Sequence, residues 1–365
     1  VYEIQSLRAL EILDSRGRPT LLTTCTLASG AIGRASVPSG ASTGASEVLE
    51  LRDGDPARYR GLGVRRAVGH VDSMLDAALC GRVLTSQTEL DLAMIELDGT
   101  PNKARLGANA ILSVSLAFAR AVAAQRGLPL YRHFADILEP GLEPTTLPRP
   151  TVNLFSGGKH AGGQVAIQDV LITPTSATSV DEAMAMIYAV YQAAADRCKT
   201  RYGMRALVAD EGGLAPDFPS LEAMFEDAIA AIIAAGLRPG ADMALCLDVA
   251  SSHFYDGAAY HLEGTPLDAA AMIDTLAGWV ETYPIVSLED GLAEDDWAHW
   301  PDLRARLAGR TLVLGDDFLT TNPARIRRAI DAGAADALLL KVNQIGTLTE
   351  AAEACRLARA AGWKV

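Results

Sequence analysis

The chain has 365 residues, 49% hydrophobic and only 5% aromatic, with a mean hydropathy of +0.15, which is ample for a large core and for more than one domain. A formal net charge of −13 argues against nucleic acid or an anionic membrane as the main partner, while a local site of metal ions and lysines can still hold a small anionic substrate. The five cysteines are odd in number and widely spaced, with no C-x-x-C pair, which argues against a disulfide framework or a zinc site and makes a reducing cytoplasm the expected location.

From the N-terminus, LRALEILDSRGRPTLLTTCTLASGAIGRASVPSG alternates apolar runs with turn signals at Gly17-Arg18-Pro19 and Ser29-Gly30, predicting a short antiparallel meander. Helical patterns follow from about Val64 to Ala124. The apolar run 108–124 is broken by Asn109 and Arg120, so it reads as a buried helix and not a membrane span. DILEPGLEPTTLPRP, with prolines at 140, 144, 148 and 150, reads as a linker. The expected division is therefore a first domain over 1–135, a linker over 136–150 and a second domain over 151–365.

Beyond Pro150, apolar strand candidates at 170–172, 243–249, 285–288, 311–314 and 337–340 alternate with helical patterns. Ser179 with Glu182 is a capping-box signal, Asn322 before Pro323 marks a helix start, and Gly333 and Gly362 mark helix ends. Repeated strand–helix units imply an α/β fold with parallel strands and helical crossovers. Ahead of these units lies SGGKHAGGQVAIQD (156–169). It reads either as a glycine-rich loop that aims His160 and Asp169 at a substrate or as a turn before a buried strand.

Four of the strand candidates end in a polar residue at the same place: Asp248 in LCLDVASS, Glu289 in VSLEDG, Asp316 in VLGDDF and Lys341 in LLLKVN, spaced by 41, 27 and 25 residues. In a (β/α) barrel the C-terminal strand ends converge on one mouth, where such enzymes do their chemistry. Three carboxylates there repel unless a cation sits between them, and an all-oxygen set favours Mg²⁺. Lys341, partly desolvated near such a cation, is expected to have a lowered pKa and to act as a base. The neighbours Asp290 and Asp317 leave the choice within each pair open, since adjacent side chains on a strand face opposite ways.

Seven segments in order, DSRGRPT (14–20), VPSGASTG (37–44), LGANAILSVSLA (106–117), ADEGGLAP (209–216), YPIVSLEDGLAEDDW (283–297), GDDFLTTNP (315–323) and LLLKVNQIGTLTE (338–350), resemble enolase segments over essentially the whole chain. The resemblance implies a small N-terminal α+β domain followed by a barrel that begins with two strands and two helices. It implies a lyase (a hydro-lyase) that interconverts 2-phosphoglycerate and phosphoenolpyruvate with two Mg²⁺ per site. By position, Asp248, Glu289 and Asp316 would hold the first Mg²⁺ and Ser42 would join the second. Lys341 would be the base and Glu211 the general acid, with His160, Asp169 and Gln168 beside them at the substrate. The pairing of a lysine base with Mg²⁺ in this superfamily is a known pattern. The loops 37–44, 156–163 and the one after Glu211 would be lids, and the apolar alternation after His160 would thread a strand to Asp169. A cytoplasmic homodimer with no nucleic-acid or membrane partner is the accompanying expectation. Muconate-lactonising enzymes and mandelate racemase fit less well, because their K-x-K pattern is absent.

Three departures stand out. The sequence stops at AAGWKV, where the next barrel strand is expected, before the Ser-His-Arg-Ser segment and later lysine with which enolases hold phosphate and carboxylate. The sequence is therefore expected to be incomplete at its C-terminus relative to the native protein. Asp169 stands where enolases carry a glutamate, and His253 replaces an acidic residue. The last two, with the unusual FSGGKH, favour an alternative: a paralogue of specialised metabolism acting on a phosphonate relative, such as in carboxyphosphonoenolpyruvate formation. A catalytically silent enolase-fold binding protein is a third reading, disfavoured because it has no need to hold three repelling carboxylates together.

Overall fold

A computed structural model of the chain describes residues 1–40, 43–203 and 207–365. The N-terminal region opens with the expected meander: β1 (Tyr2–Leu13), β2 (Pro19–Leu27) and β3 (Ile32–Ser36), all antiparallel, with the two-residue β4 (Val83–Leu84) added on the far side of β1. β4 reaches only Tyr2 and Glu3, so the rest of that edge of β1 needs other acceptors. A helical run supplies them. From α1 (Arg65–His70) it passes through a π turn into α2 (Asp76–Leu79), and Asp72 and Asp76 accept the N–H groups of Ala9 and Leu7, both at 2.7 Å. Two carboxylates thus stand in for a missing strand.

The other face of the sheet is covered by α4 (Ala108–Arg126), with α3 (Gln87–Asp98) and α5 (Leu130–Leu138) beside it. α4 is long and apolar enough to cross a membrane, yet most of it is buried in this N-terminal core, as its interrupted apolar run predicts. Thr23 and Ser113 share a buried hydrogen bond of 2.7 Å between sheet and helix. Gly33 on β3 makes the close approach possible, because a Cβ there would lie 2.0 Å from the Ala117 carbonyl oxygen. α5 runs to Leu138, so the first residues of the proline-rich stretch are helical.

A second core is built around six strands in the order β5 (Val152–Ser156), β6 (Asp169–Pro174), β7 (Met243–Asp248), β10 (Ile285–Glu289), β11 (Leu312–Gly315) and β12 (Ala337–Leu338). The hairpin β8 (Tyr260–Leu262) and β9 (Thr265–Leu267) stands apart from this sheet. β6 is antiparallel to both neighbours, and the strands from β7 onward are parallel. Two helices, α6 (Val180–Tyr202) and α7 (Leu221–Ala234), follow β6 in succession. α8 (Ala269–Thr282), α9 (Trp300–Leu307), α10 (Pro323–Ala332) and the pair α11 (Val342–Ile345) and α12 (Leu348–Ala360) alternate with the later strands. Ala337 also makes a parallel bridge to Lys364.

Local signals explain where the helices start. Ser179 accepts the Glu182 N–H at 3.1 Å, and Asn322 accepts the Ala324 N–H at 2.9 Å ahead of Pro323, satisfying groups that helix starts leave unpaired. Two expectations need correction. The alternation in QVAIQ does not form a strand: Val165 and Ile167 are buried, but the chain there bends back on Gly157 and Gly158, and pairing begins at Asp169. The last strand candidate shortens to two residues, because after Leu338 the chain turns toward Lys341.

The tight contact at Gly33 yields a direct test. Gly33→Ala should destabilise the chain by about 3 kcal/mol or more, since backbone, not a side-chain tip, must move. Urea unfolding of the two proteins measures it.

Candidate active site

Because β7, β10 and β11 are parallel, their C-terminal ends lie together. Asp248 and Glu289 are the last residues of neighbouring strands and are directly paired, and Asp316 follows β11. β6 runs the other way, so its first residue, Asp169, is level with Asp248. The antiparallel start of the barrel thereby brings a fourth carboxylate to the same end. Lys341 follows β12, and its Nζ donates to Asp316 Oδ2 at 2.5 Å.

The backbone resolves the choice between Glu289 and Asp290. Asp290 has φ +43, a conformation that costs a non-glycine residue energy and turns its side chain off the strand's alternation. Its carboxylate accepts the N–H groups of Asp316 at 3.0 Å, Asp317 at 2.7 Å and Phe318 at 3.4 Å. Asp290 therefore braces the turn that presents Asp316. Oxygens of Asp290, Asp316 and Asp317 do lie within 4.8 Å of one another, but those of Asp290 are already taken by backbone donors. Glu289 accepts no such bond among the described residues, whereas Asp248 Oδ2 accepts from Gln168 and the two oxygens of Asp316 accept from Gln344 and Lys341. Ser42, expected to join a second cation, lies outside the described residues.

The crowding shows in the acid–base behaviour. Burial, reinforced by Asp169 and Asp316, raises Asp248 to about 8. Burial and the charges of Asp248 and Asp316 push Glu289 well above the carboxylate range. Burial also raises Asp317 to about 6 and, on the facing loop, Glu47 to about 7. Lys341 differs from expectation. Burial lowers its pKa, but Asp316, Glu289 and Asp248 together outweigh burial and raise it.

Two amides hold the carboxylates in place. Gln168 Nε2 donates to Asp248 Oδ2 at 2.9 Å. Gln344 is 1% exposed; its Nε2 donates to Asp316 Oδ1 at 2.6 Å, its Oε1 accepts from Thr321, and its backbone oxygen accepts the Val48 N–H at 3.0 Å. Gln344, three residues beyond Lys341, carries no signal of its own in the sequence.

A second cluster sits beside these groups. Ser156 pairs with Asp169 across β5 and β6, and its hydroxyl donates to Asp169 Oδ1. His160 Nδ1 shares a 2.8 Å hydrogen bond with Asp169 Oδ2, while its buried Nε2 has no hydrogen-bond partner among the described residues and lies 3.8 Å from Glu211 Oε1. Burial opposes charge on His160, but the bond to Asp169 and the surrounding carboxylates raise its pKa. The chain after Glu211 runs along β5, with Ser156 N–H bonded to the Leu214 oxygen at 2.9 Å. Gly213 allows this, because a Cβ there would lie 2.3 Å from Ser156 Oγ. Glu211 and Lys341 line one cavity of about 350 Å³ with Arg16, Ser39, Gly40 and Glu47 from the N-terminal loops.

Residues 4–134 match the family model for the enolase N-terminal domain, and residues 144–365 match that for the enolase C-terminal TIM barrel domain. The chain belongs to the enolase family. Membership implies an enolase-type lyase, and the ββαα opening of the barrel agrees with the family architecture. Proteins of this family typically use Mg²⁺, and the donor set fits it: oxygen ligands only, crowded carboxylates whose charge burial disfavours, and amides already orienting two of them.

Two predictions follow from this enolase site. Carboxyls whose folded pKa is raised bind more protons in the native state between about pH 4 and 8, so metal-free stability should fall as pH rises through that window. A divalent cation competes with those protons, so the rise in melting temperature on adding Mg²⁺ should be larger at pH 8 than at pH 5.5. Gln344→Met should weaken Mg²⁺ binding by roughly 10- to 100-fold, the usual effect of removing a ligand's orienting partner, as read by calorimetric titration.

Proposed function

We propose that the chain is a Mg²⁺-dependent lyase that interconverts 2-phosphoglycerate and phosphoenolpyruvate. The observation that carries this reading is the cavity that Lys341 and Glu211 line together, with Lys341 bonded to Asp316 of the acidic set and Glu211 lying 3.8 Å from the His160 ring. In this reading Lys341 takes the proton α to the substrate carboxylate, and Glu211 protonates the departing hydroxyl from the opposite face. When bound, Mg²⁺ at Asp248, Glu289 and Asp316, with a second ion joined by Ser42, supplies fixed positive charge to a carboxylate that becomes doubly negative. The raised pKa of Lys341 is compatible with a base, because it comes from three carboxylates. Once their charge is compensated, burial dominates and lowers the pKa.

His160, held by Asp169, which in turn accepts from Ser156, presents Nε2 toward Glu211, and Gln168 steadies Asp248. Domains over 1–135 and 151–365 joined at 136–150, a small phospho-carboxylate substrate, a cytoplasmic location and a homodimer belong to the same proposal.

A second reading, action on a phosphonate relative, has one observation in its favour. The short side chain of Asp169 is engaged by both Ser156 and His160, and the imidazole Nε2 lies 3.8 Å from Glu211 Oε1.

Formation of the enol product from 2-phosphoglycerate and Mg²⁺, followed by ultraviolet absorbance, tests the first reading. Lys341→Ala should reduce kcat by roughly 10²–10⁴-fold, and Asp169→Glu should preserve or raise activity. Folded, Mg²⁺-binding protein with no turnover would sink this reading, and turnover of a phosphonate analogue that needs Lys341 would establish the second.

A further inference from the structure

On the outer side of the 156–169 loop lies another cavity, of about 830 Å³, between that loop and the β8–β9 hairpin. Its walls include Gly158, Gly162 and Gly163, which contribute no side chains, and Lys159, His253 and Glu263. Neighbouring ionisable groups are already engaged. His160 bonds Asp169, His261 bonds Asp256, and Glu263 accepts the Leu221 N–H at 2.8 Å. Lys159 and the His253 ring are left without a hydrogen-bond or ion-pair partner among the described residues. They are 94 positions apart, and each marks a place where the sequence looked unusual, FSGGKH and the histidine of ASSHF. The fold brings both to one cavity.

In a chain of net charge −13, a lysine without an ion-pair partner among the described residues, lining the same cavity as a neutral imidazole while the carboxylate of Glu263 is turned to the Leu221 N–H, gives a local preference for anions. His253 is held neutral, its pKa lowered to about 4 by burial and then by the charges of Lys159 and His160, so its ring keeps one N–H donor and adds no repulsive demand on Lys159. Lys159 directly precedes His160 in the chain, so the cavity adjoins the segment that carries the imidazole near Glu211.

We propose that this cavity is an oxyanion subsite, which takes a second phosphonate, phosphate or carboxylate group between Lys159 and the His253 ring. It rests on the lyase reading only in that it adjoins that reaction's site. The oxyanion is either a further group of the substrate or a separate small anion, and the same chemistry binds both.

Calorimetric titration with inorganic phosphate tests the subsite without turnover. Lys159→Met and His253→Glu should each weaken binding about tenfold or more, the effect of losing one charge-assisted hydrogen bond. His253→Gln keeps an N–H donor and should retain most of the affinity. Equal binding by the parent, Lys159→Met and His253→Glu would overturn the proposal, as would no binding at millimolar phosphate. Repeating the titration with saturating 2-phosphoglycerate separates the sources: blocked binding indicates a group carried by the substrate, and unchanged binding a separate anion. Intact phosphate binding without dehydration would remove the lyase reading and leave the subsite standing.

Discussion

The rest of the site depends on one constraint: Asp248, Glu289, Asp290, Asp316 and Asp317 occupy one end of one sheet. Isolated carboxylates in that setting would be pushed to neutrality by burial and mutual repulsion. The fold answers with specific donors. Three backbone N–H groups converge on Asp290, an amide reaches each of Asp248 and Asp316, and the ammonium of Lys341 touches Asp316. Those donors leave Glu289 and part of the others open, which is what a hard cation needs. Stability and cation affinity are therefore set by the same few hydrogen bonds.

The N-terminal region enters this arrangement mechanically. The segment that carries Lys341 continues into α12, and α3 and α4 grip it. Asp91 accepts both the N–H and the hydroxyl of Thr349, Ser115 accepts the Leu348 N–H at 3.2 Å, and buried Lys103 pairs with Glu350 at 3.0 Å. Val48, at the end of the loop that walls the cavity, bonds the backbone of Gln344. The placement of Lys341 is thus fixed from both sides, by the barrel through Asp316 and by the N-terminal helices through residues 344–350.

Much of this was legible in the sequence because it rests on local rules. The meander, the strand–helix alternation, the caps at Ser179 and Asn322 and the polar residues ending apolar strands each follow from a short pattern, and the ordered motifs pointed to the enolase family. What was not legible depends on residues far apart in the chain. The role of Asp290 requires N–H groups 26 to 28 positions later, and the bond from Ser156 to Asp169 requires the β5–β6 register. Alternation in QVAIQ misled because Val165 and Ile167 are buried by packing without strand pairing. The expected fall in the pKa of Lys341 overlooked how strongly three nearby carboxylates oppose burial.

The central claim is a division of labour across one cavity, with proton abstraction by Lys341 and departure of the hydroxyl assisted by Glu211. Exchange of the α-proton of 2-phosphoglycerate in deuterated water, followed by proton NMR with Mg²⁺ present, reads the first step apart from the second. The account predicts that Glu211→Gln still exchanges the α-proton while forming almost no phosphoenolpyruvate, and that Lys341→Ala loses both. Exchange that persists in Lys341→Ala, or that disappears in a folded, Mg²⁺-binding Glu211→Gln, would contradict it.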